Sequence, residues 1–513
     1  MHSAVILDGK SLTIEDVGQV AQNKKKVAAP ADILTLLDKV RHYVDEIAEK
    51  DQPHYGINTG FGALAEKKIA KKDLEKLQHR LILSHAVGVG VPLSYAEARA
   101  LMLLRANTIA RGNSGCRKDV LLYLIALLNS GCAPYVPSKG SVGASGDLAP
   151  LAHLSLLLIG KGQAYVDGKK VTAKKALGHA KLVPIKLKAK EGLALINGTQ
   201  AMAGLGCLLL MHAEQMCDLA DIIGACSVDA LKGSDTPFDA RIHQARPHPG
   251  QQRSAHNLRL MLKESEIRES HRHCSKVQDA YSLRCMPQVH GASRDTFAFV
   301  RNVLQQEINS GTDNPLIFLR PDQNGIDILS GGNFHGQPLA FALDYLAIAT
   351  AELGNISERR MEQMLNPVLS GGLPAFLAVD PGINSGFMIL QVTAAALVNE
   401  NKIYCHPAST DSIPSSASRE DHVSMGMTSA NKARVVIENC YTILGIELII
   451  AGQGLDMRKP LLPGIGVEAV LKNLRKVVAF TKQDRLFYED LQKAYQLCKS
   501  GILNNILATL SGK

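Results

Sequence analysis

The residues with the clearest chemical potential lie in one glycine-rich stretch, "GSVGASGDLAP", at positions 140–150. Ser145 stands between Ala144 and Gly146, and Asp147 follows directly. The pattern is not a G-x-S-x-G nucleophile elbow, because Asp147 occupies the place of the second glycine. It also lacks the G-K-[ST] ending of a phosphate-binding loop. The strongly apolar run after it, "LAPLAHLSLLLIG", indicates that the stretch abuts the core rather than forming an ordinary surface loop.

The tripeptide Ala144-Ser145-Gly146 has the composition needed for a backbone cyclisation. In a tight bend, the amide nitrogen of Gly146 can attack the carbonyl carbon of Ala144, and glycine leaves that approach open. Loss of one water closes an imidazolone ring. Loss of the Ser145 hydroxyl as a second water leaves a methylidene group conjugated to the ring. Ser145 would then be the source of an electrophile and not a nucleophile.

The composition places this stretch in a large helical protein. The chain has 513 residues, of which 46% are hydrophobic and only 4% aromatic, with no tryptophan. A core of aliphatic residues favours helix packing over a β-sandwich. Ten cysteines without a C-x-x-C pair fit reduced, mostly buried thiols.

The charge and the hydropathy argue against nucleic-acid and membrane partners. The net charge is +9, but the lysines occur in short clusters without interleaved aromatics, as on solvated faces. The N-terminus has no signal-peptide pattern, and we expect no apolar run long enough to span a membrane. These features predict a cytoplasmic protein.

Helical periodicity dominates the rest of the chain. Asp8-Gly9 and Asp167-Gly168 are each predicted to turn a β-hairpin. The sequence predicts a mostly α protein, in which a long central helical bundle follows a smaller mixed N-terminal part that carries the glycine-rich loop. The expected segments are 1–184, 185–455 and 456–513, the last a helical tail. Long apolar-periodic runs cover 199–232, 296–310, 337–365, 386–402 and 420–455.

The glycine-rich stretch resembles the signature of the aromatic amino-acid ammonia-lyase family. Seven further blocks resemble family segments in the same order: "YGINTGFGALA", "LILSHAVGVG", "INGTQAMAG", "QDAYSLRCMPQVHG", "TDNPL", "SGGNFHGQPLA" and "REDHVSMG". The resemblance implies a 4-methylidene-imidazol-5-one group formed autocatalytically from Ala144, Ser145 and Gly146, with no external cofactor. It also implies a mostly helical fold and a homotetramer with shared active sites.

The resemblance assigns roles to residues outside the tripeptide. Tyr55 matches the catalytic base, and Gly56, Gly60 and Gly62 fit a mobile loop beside it. Asn197 matches the amide that donates to the oxygen that gains charge, and Arg284 matches the partner of the substrate carboxylate, for which a guanidinium fork is suited. Tyr281, Gln278 and Phe334 match positions that support the ring and shape the pocket.

Two residues indicate the substrate. Ser84-His85 resembles the histidine branch of the family, where relatives specific for phenylalanine or tyrosine carry other pairs. Glu420 stands where those relatives have an amide, and a carboxylate suits an imidazole that can donate or carry a proton. The resemblance thus implies elimination of ammonia from L-histidine to give trans-urocanate.

Two alternatives remain open on the residues alone. One is a tyrosine or phenylalanine ammonia-lyase, or an aminomutase, of the same family. The other is a metal-binding or regulatory helical scaffold built on His271, His273, Cys274 and His422. The i, i+2 spacing of the two histidines does not place them on one helix face, so we expect no metal.

Overall fold

The computed structural model describes residues 4–60, 62, 67–274 and 276–512. It is mostly helical, as predicted, with twenty α-helices and nine short strands in the described part of the chain. The helices are α1 (Ile14–Ala21), α2 (Ala31–Glu49), α3 (Leu74–His85), α4 (Tyr95–Ala110), α5 (Lys118–Asn129), α6 (Leu148–Leu158), α7 (Ala173–His179), α8 (Glu191–Ile196), α9 (Gln200–Ala230), α10 (Ala240–Ala245), α11 (Pro249–Met261), α12 (Glu266–Glu269), α13 (Tyr281–Arg284), α14 (Met286–Glu307), α15 (Gln337–Leu365), α16 (Met388–Tyr404), α17 (Gly426–Asp456), α18 (Ile465–Arg475), α19 (Phe487–Lys499) and α20 (Asn504–Leu510).

The strands form four small sheets. They are β1 (Val5–Ile6), β2 (Val27–Ala28), β3 (Val89–Pro92), β4 (Cys132–Pro134), β5 (Pro137–Lys139), β6 (Gln163–Val166), β7 (Lys169–Thr172), β8 (Leu316–Leu319) and β9 (Ile326–Leu329). β1 pairs in parallel with β2, whereas β3–β5, β4–β6–β7 and β8–β9 are antiparallel.

The two predicted hairpins have different outcomes. The Asp167-Gly168 hairpin is confirmed, because β6 and β7 pair on either side of it, Val166 opposite Lys169. The Asp8-Gly9 hairpin is wrong. There, Asp8 Oδ1 accepts hydrogen bonds from the Lys10 and Ser11 amides, and the chain turns into α1 while β1 pairs with β2 instead.

The chain divides into two compact units that are discontinuous in sequence. The first unit comprises Met1–Leu209, Arg301–Asp344 and Pro407–Asn431, and the second comprises Leu210–Val300, Tyr345–His406 and Lys432–Lys513. The units do not coincide with the segments 1–184, 185–455 and 456–513, because α9, α14, α15 and α17 each run from one unit into the other. The three-segment division stays a prediction about chain order.

In the first unit, α3, α6 and α8 pack against one another, and β3 pairs with β5 just before the glycine-rich loop. α6 begins directly after Asp147, and α8 ends at Ile196, with Asn197 as its C-cap. This packing brings the end of α3, the start of α6 and the end of α8 close together. These are the positions of His85, Ser145 and Asn197.

In the second unit, buried polar contacts join the long helices. Glu447 on α17 accepts hydrogen bonds from Ser227 on α9 and from Ser357 and Arg360 on α15. His290 on α14 contacts Asp221 on α9 at 2.8 Å, with both side chains fully buried. Four long helices therefore pack side by side, as the predicted bundle requires.

Two helices contradict the expectation that no apolar run is long enough to span a membrane. α15 and α17 meet that criterion by length and composition, but 67% and 78% of their most apolar windows are buried within the protein. Such burial is typical of core helices. All ten cysteines are free, and most are buried, as predicted.

Candidate active site

The backbone of the tripeptide Ala144-Ser145-Gly146 is held in a conformation that requires glycine at position 146. Gly146 has φ +71°, and a Cβ atom there would lie 2.1 Å from the carbonyl oxygen of Gly198. The Asp147 amide donates to the same oxygen at 2.7 Å. Among the described residues, the Gly146 amide nitrogen makes no hydrogen bond of its own. That nitrogen is therefore not engaged by another acceptor.

The Ser145 hydroxyl contacts a carboxylate. Ser145 Oγ donates to Glu420 Oε1 at 2.6 Å, and Ser415 Oγ donates to Glu420 Oε2 at 2.6 Å. Ser415 and Glu420 also pair through their backbones in an isolated antiparallel bridge. Glu420 therefore lies in a short turn six residues before α17, and it is not a helix-start residue.

The Ser145 carbonyl contacts Asn197. Asn197 Nδ2 donates to Ser145 O at 2.8 Å, and the side chain is nearly fully buried. Its Oδ1 has no hydrogen-bond partner within the described residues. In the ring that the tripeptide can form, Ser145 O is the ring carbonyl oxygen, so the amide already points at the atom predicted for it.

Asp147 anchors the loop to the start of α9. Its Oδ2 accepts hydrogen bonds from the Ala201 and Met202 amides at 2.9 Å each, and its Oδ1 accepts one from Ser141 at 2.9 Å. The side chain is fully buried, and this burial raises the pKa of its carboxyl group to about 6. The three donors act in the opposite direction, since they stabilise the ionised form.

A cavity of about 660 Å³ in the first unit opens onto this loop. Its lining includes six of the predicted site residues: Tyr55, His85, Ser145, Asn197, Phe334 and Glu420. A site of this size fits an amino acid of the size of histidine. Ala144 and Gly146 flank Ser145 in the same loop, and Ala144 packs against Val423 and Met425.

His85 is the last residue of α3, and its ring is oriented by the helix. His85 Nδ1 lies 2.9 Å from the Leu81 carbonyl oxygen and 3.0 Å from Ser84 Oγ. Because a carbonyl oxygen can only accept, Nδ1 carries the proton. Nε2 is then the ring nitrogen available to a ligand.

Tyr55 lies in a turn and lines the cavity. Its hydroxyl accepts a hydrogen bond from the Gly62 amide at 3.4 Å, and both Gly56 and Gly62 have positive φ. Gly60 also lines the cavity. The mobility of this loop stays a prediction, and residues 61 and 63–65 of the "YGINTGFGALA" block lie outside the described residues.

Three predicted residues lie in the second unit. Gln278, Tyr281 and Arg284 line a cavity of about 630 Å³ there. The Arg284 guanidinium lies over the Tyr281 ring, 4.7 Å from its centroid, and Arg284 Nε is buried without a partner in the described part of the chain. The structure thus gathers these three together, on a cavity other than the one that contains Ser145.

Two cationic residues on the first cavity were not predicted. Lys67 and Arg80 both line it. Arg80 shares a face of α3 with Leu77, Leu81 and Ser84, which also line the cavity. This helical spacing upstream of His85 is the signal that could have identified Arg80.

The alternative metal site finds no geometric support. Within the described ranges, no group of three or more histidine, cysteine or acidic side chains could hold a metal ion. The two ring nitrogens of His271 contact the backbone carbonyls of Ile267 and Gly233.

Both the sequence and the fold are similar to those of known enzymes. The sequence model of the aromatic amino acid lyase family matches residues 12–476. The histidine ammonia-lyase of Myxococcus xanthus is 54% identical over 499 residues, which cover 97% of each chain. The crystal structure of histidine ammonia-lyase from Trypanosoma cruzi has a TM-score of 0.90 at 42% identity, covering 99% of this chain and 96% of that one. Tyrosine aminomutase from Streptomyces globisporus has a TM-score of 0.92 at 39% identity, with 99% of both chains covered. With a family match over most of its length, the chain belongs to the aromatic amino acid lyase family.

Proposed function

We propose that this protein eliminates ammonia from L-histidine to give trans-urocanate, as a histidine ammonia-lyase of the cytoplasm. The observation that carries the proposal is the position of His85 and Glu420 on one cavity with Ser145. A carboxylate gains a hydrogen-bonded partner from an imidazole, whereas a phenyl ring offers it none. Relatives named histidine ammonia-lyase at 54% identity support the same substrate.

A second candidate within the family is a tyrosine or phenylalanine ammonia-lyase, or an aminomutase. Its support is the 39% identity to tyrosine aminomutase from Streptomyces globisporus. Glu420 argues against phenylalanine as the substrate, because a phenyl ring has no donor for a partly buried carboxylate, whereas a phenol hydroxyl could donate to it.

The tripeptide fits the proposed methylidene-imidazolone. A bond forms between Gly146 N and Ala144 C. The Ala144 carbonyl oxygen leaves as one water with the Gly146 and Ser145 amide protons, and a double bond forms between Ala144 C and Ser145 N. The Ser145 hydroxyl leaves with the Cα proton as the second water. Three features suit this reaction. The Gly146 amide nitrogen donates no hydrogen bond within the described residues, and a Cβ atom at this position would not fit. Asn197 Nδ2 donates to Ser145 O. When formed, the group supplies an electron-poor alkene that activates the substrate for loss of ammonia.

The side chains that line the cavity have the other roles in the proposed reaction. Tyr55 Oη takes a proton from the substrate β-carbon as general base. Asn197 Nδ2 donates to the oxygen that gains charge, where a fixed donor lowers the barrier. His85 and Glu420 bind the imidazole, and Phe334 shapes the wall beside it.

The residues of the second unit complete the proposal. Arg284 pairs with the substrate carboxylate, and Gln278 and Tyr281 line the pocket. We assign the active site to a homotetramer in which several subunits contribute to each site. The exposed Tyr281 and the unpartnered Arg284 Nε are consistent with residues that await a ligand or another subunit.

The test combines an intact mass with a substrate panel. Purified protein should be lighter than its sequence mass by two waters and should form urocanate, followed by its ultraviolet absorbance, from L-histidine. Turnover of tyrosine or phenylalanine without urocanate from histidine would favour the second candidate. A full sequence mass in active protein would contradict the prosthetic group. Sedimentation of the protein as a monomer would contradict the tetramer.

A further inference from the structure

The residues just before the Ala144-Ser145-Gly146 tripeptide form hydrogen bonds to which the proposed reaction assigns no role. The Gly143 carbonyl oxygen accepts a hydrogen bond from Ser424 Oγ at 3.0 Å and another from the Gly336 amide at 3.2 Å. The Met425 amide donates to the Val142 carbonyl at 2.8 Å. The chain is therefore fixed at the two residues that immediately precede Ala144.

The atoms around Gly143 leave no space for a side chain at this position. Gly143 has φ +67°, and a Cβ atom there would lie 2.2 Å from Ser424 Oγ. Ser424 is fully buried, and its hydroxyl oxygen also accepts a hydrogen bond from the Gly426 amide at 3.3 Å. The hydroxyl is thus a satisfied, buried link between the turn that follows Glu420 and the glycine-rich loop.

The other end of the tripeptide is fixed independently. Gly146 and Asp147 are held by Gly198, and Asp147 is held by the first amides of α9. The two reacting atoms, the Ala144 carbonyl carbon and the Gly146 nitrogen, lie between these two attachments. When reacting groups are held in position, the entropic part of the barrier to their reaction falls.

We propose that Ser424 is a positioning residue for formation of the prosthetic group: its hydroxyl holds Gly143 so that the Ala144 carbonyl stays within reach of the Gly146 nitrogen. The inference rests on the proposed methylidene-imidazolone and deepens it. Ser424 itself forms and breaks no covalent bond, and the two waters leave as described above.

The test measures the rate of dehydration rather than enzyme activity. Protein is made in a short induction, translation is stopped, and samples denatured at intervals are weighed as intact chains. Ser424→Ala should lose its two waters roughly tenfold more slowly than the wild type, as expected when a buried hydrogen bond is removed and its acceptor is left less satisfied. Activity per dehydrated chain should equal that of the wild type, because Ser424 does not line the cavity.

A matched control is available on the same segment. Ser429 is also fully buried, but its hydroxyl has no hydrogen-bond partner in the described part of the chain. Ser429→Ala should therefore mature at the wild-type rate. Ser424→Cys, which keeps a weak donor of similar shape, should mature at an intermediate rate, and it decides the question if Ser424→Ala does not fold.

The outcomes distinguish the positioning role of Ser424 from the formation of the prosthetic group itself. Equal maturation rates in the wild type and in the folded Ser424 variants would overturn the positioning role while leaving the prosthetic group intact. A wild type that keeps its full sequence mass would instead overturn the prosthetic group, and with it this inference.

Discussion

Removing the Asn197 side-chain amide tests how much its hydrogen bond to Ser145 O contributes to the proposed reaction. Asn197 Nδ2 donates to Ser145 O at 2.8 Å from a nearly fully buried position, while its Oδ1 has no partner in the described structure. Asn197→Ala therefore removes one hydrogen bond and leaves only Ser145 O without its donor. The backbone at this position is extended, with φ −90° and ψ 115°, so alanine fits without strain.

The expected loss follows from the role of that donor. A buried donor aimed at an oxygen that gains charge typically contributes about 10²–10³ in kcat, or ~2.7–4 kcal/mol. Because Ser145 O is not the carbonyl attacked during cyclisation, the variant should still lose two waters. Asn197→Ala should thus lower kcat for histidine by about 10²–10³, with a smaller change in KM.

Steady-state urocanate formation and an intact mass together measure this. Asn113→Ala is the matched control, since Asn113 Nδ2 donates to a backbone carbonyl, that of Ile317, at 2.9 Å and the residue does not line the cavity. The control should keep the wild-type kcat. The reasoning is refuted by an unchanged kcat in Asn197→Ala. It also fails if that variant keeps its full sequence mass, because the amide would then act in maturation.

Three further changes test the loop and the substrate pocket. Gly146→Ala should keep its full mass, since a Cβ atom would lie 2.1 Å from Gly198 O; an intact mass two waters lighter would contradict this. Glu420→Gln should lower kcat/KM for histidine by roughly tenfold to a hundredfold and that for phenylalanine much less; parallel losses would contradict the assignment. Burial raises the pKa of Asp147 to about 6, so the stability gained by its protonation is present below about pH 4 and is lost as the pH rises through about 6. Relative to Asp147→Asn, the wild type should lose on the order of 3 kcal/mol of unfolding free energy between about pH 4 and 7; urea titrations with a constant difference would contradict this.

Sequence patterns predicted the elements that short-range interactions along the chain stabilise. The helix over 337–365 coincides with α15, and the Asp167-Gly168 turn joins adjacent strands. α14, by contrast, begins at Met286, well before the predicted start at 296. Its first turns contain His290, which is buried against Asp221, and burial lowers the pKa of that histidine. A polar side chain on the buried face interrupts the apolar periodicity from which helices are predicted.

Motif resemblance selected residues that the structure divides between two cavities. Tyr55 and Asn197 line the cavity with Ser145, whereas Gln278, Tyr281 and Arg284 line another. The roles assigned to these residues stay predictions.

Ser415 was not identified from the sequence, because its contact with Glu420 forms only in the fold. Arg80 could have been identified from its helical spacing with Leu81 and Ser84. Ser415 supports Glu420 through a turn that periodicity had placed at the start of a helix.

In the proposed reaction, the contact between Ser145 and Glu420 links formation of the prosthetic group to substrate binding. Before cyclisation, Glu420 Oε1 accepts the Ser145 hydroxyl and Oε2 accepts the Ser415 hydroxyl, so both oxygens are engaged. Loss of the Ser145 hydroxyl as water removes the first of these donors and leaves the second. A partly buried carboxylate that has lost one donor is less well satisfied, and an imidazole N–H in the cavity restores the missing bond. In this proposal, the dehydration that creates the electrophile also frees the oxygen that binds the histidine side chain.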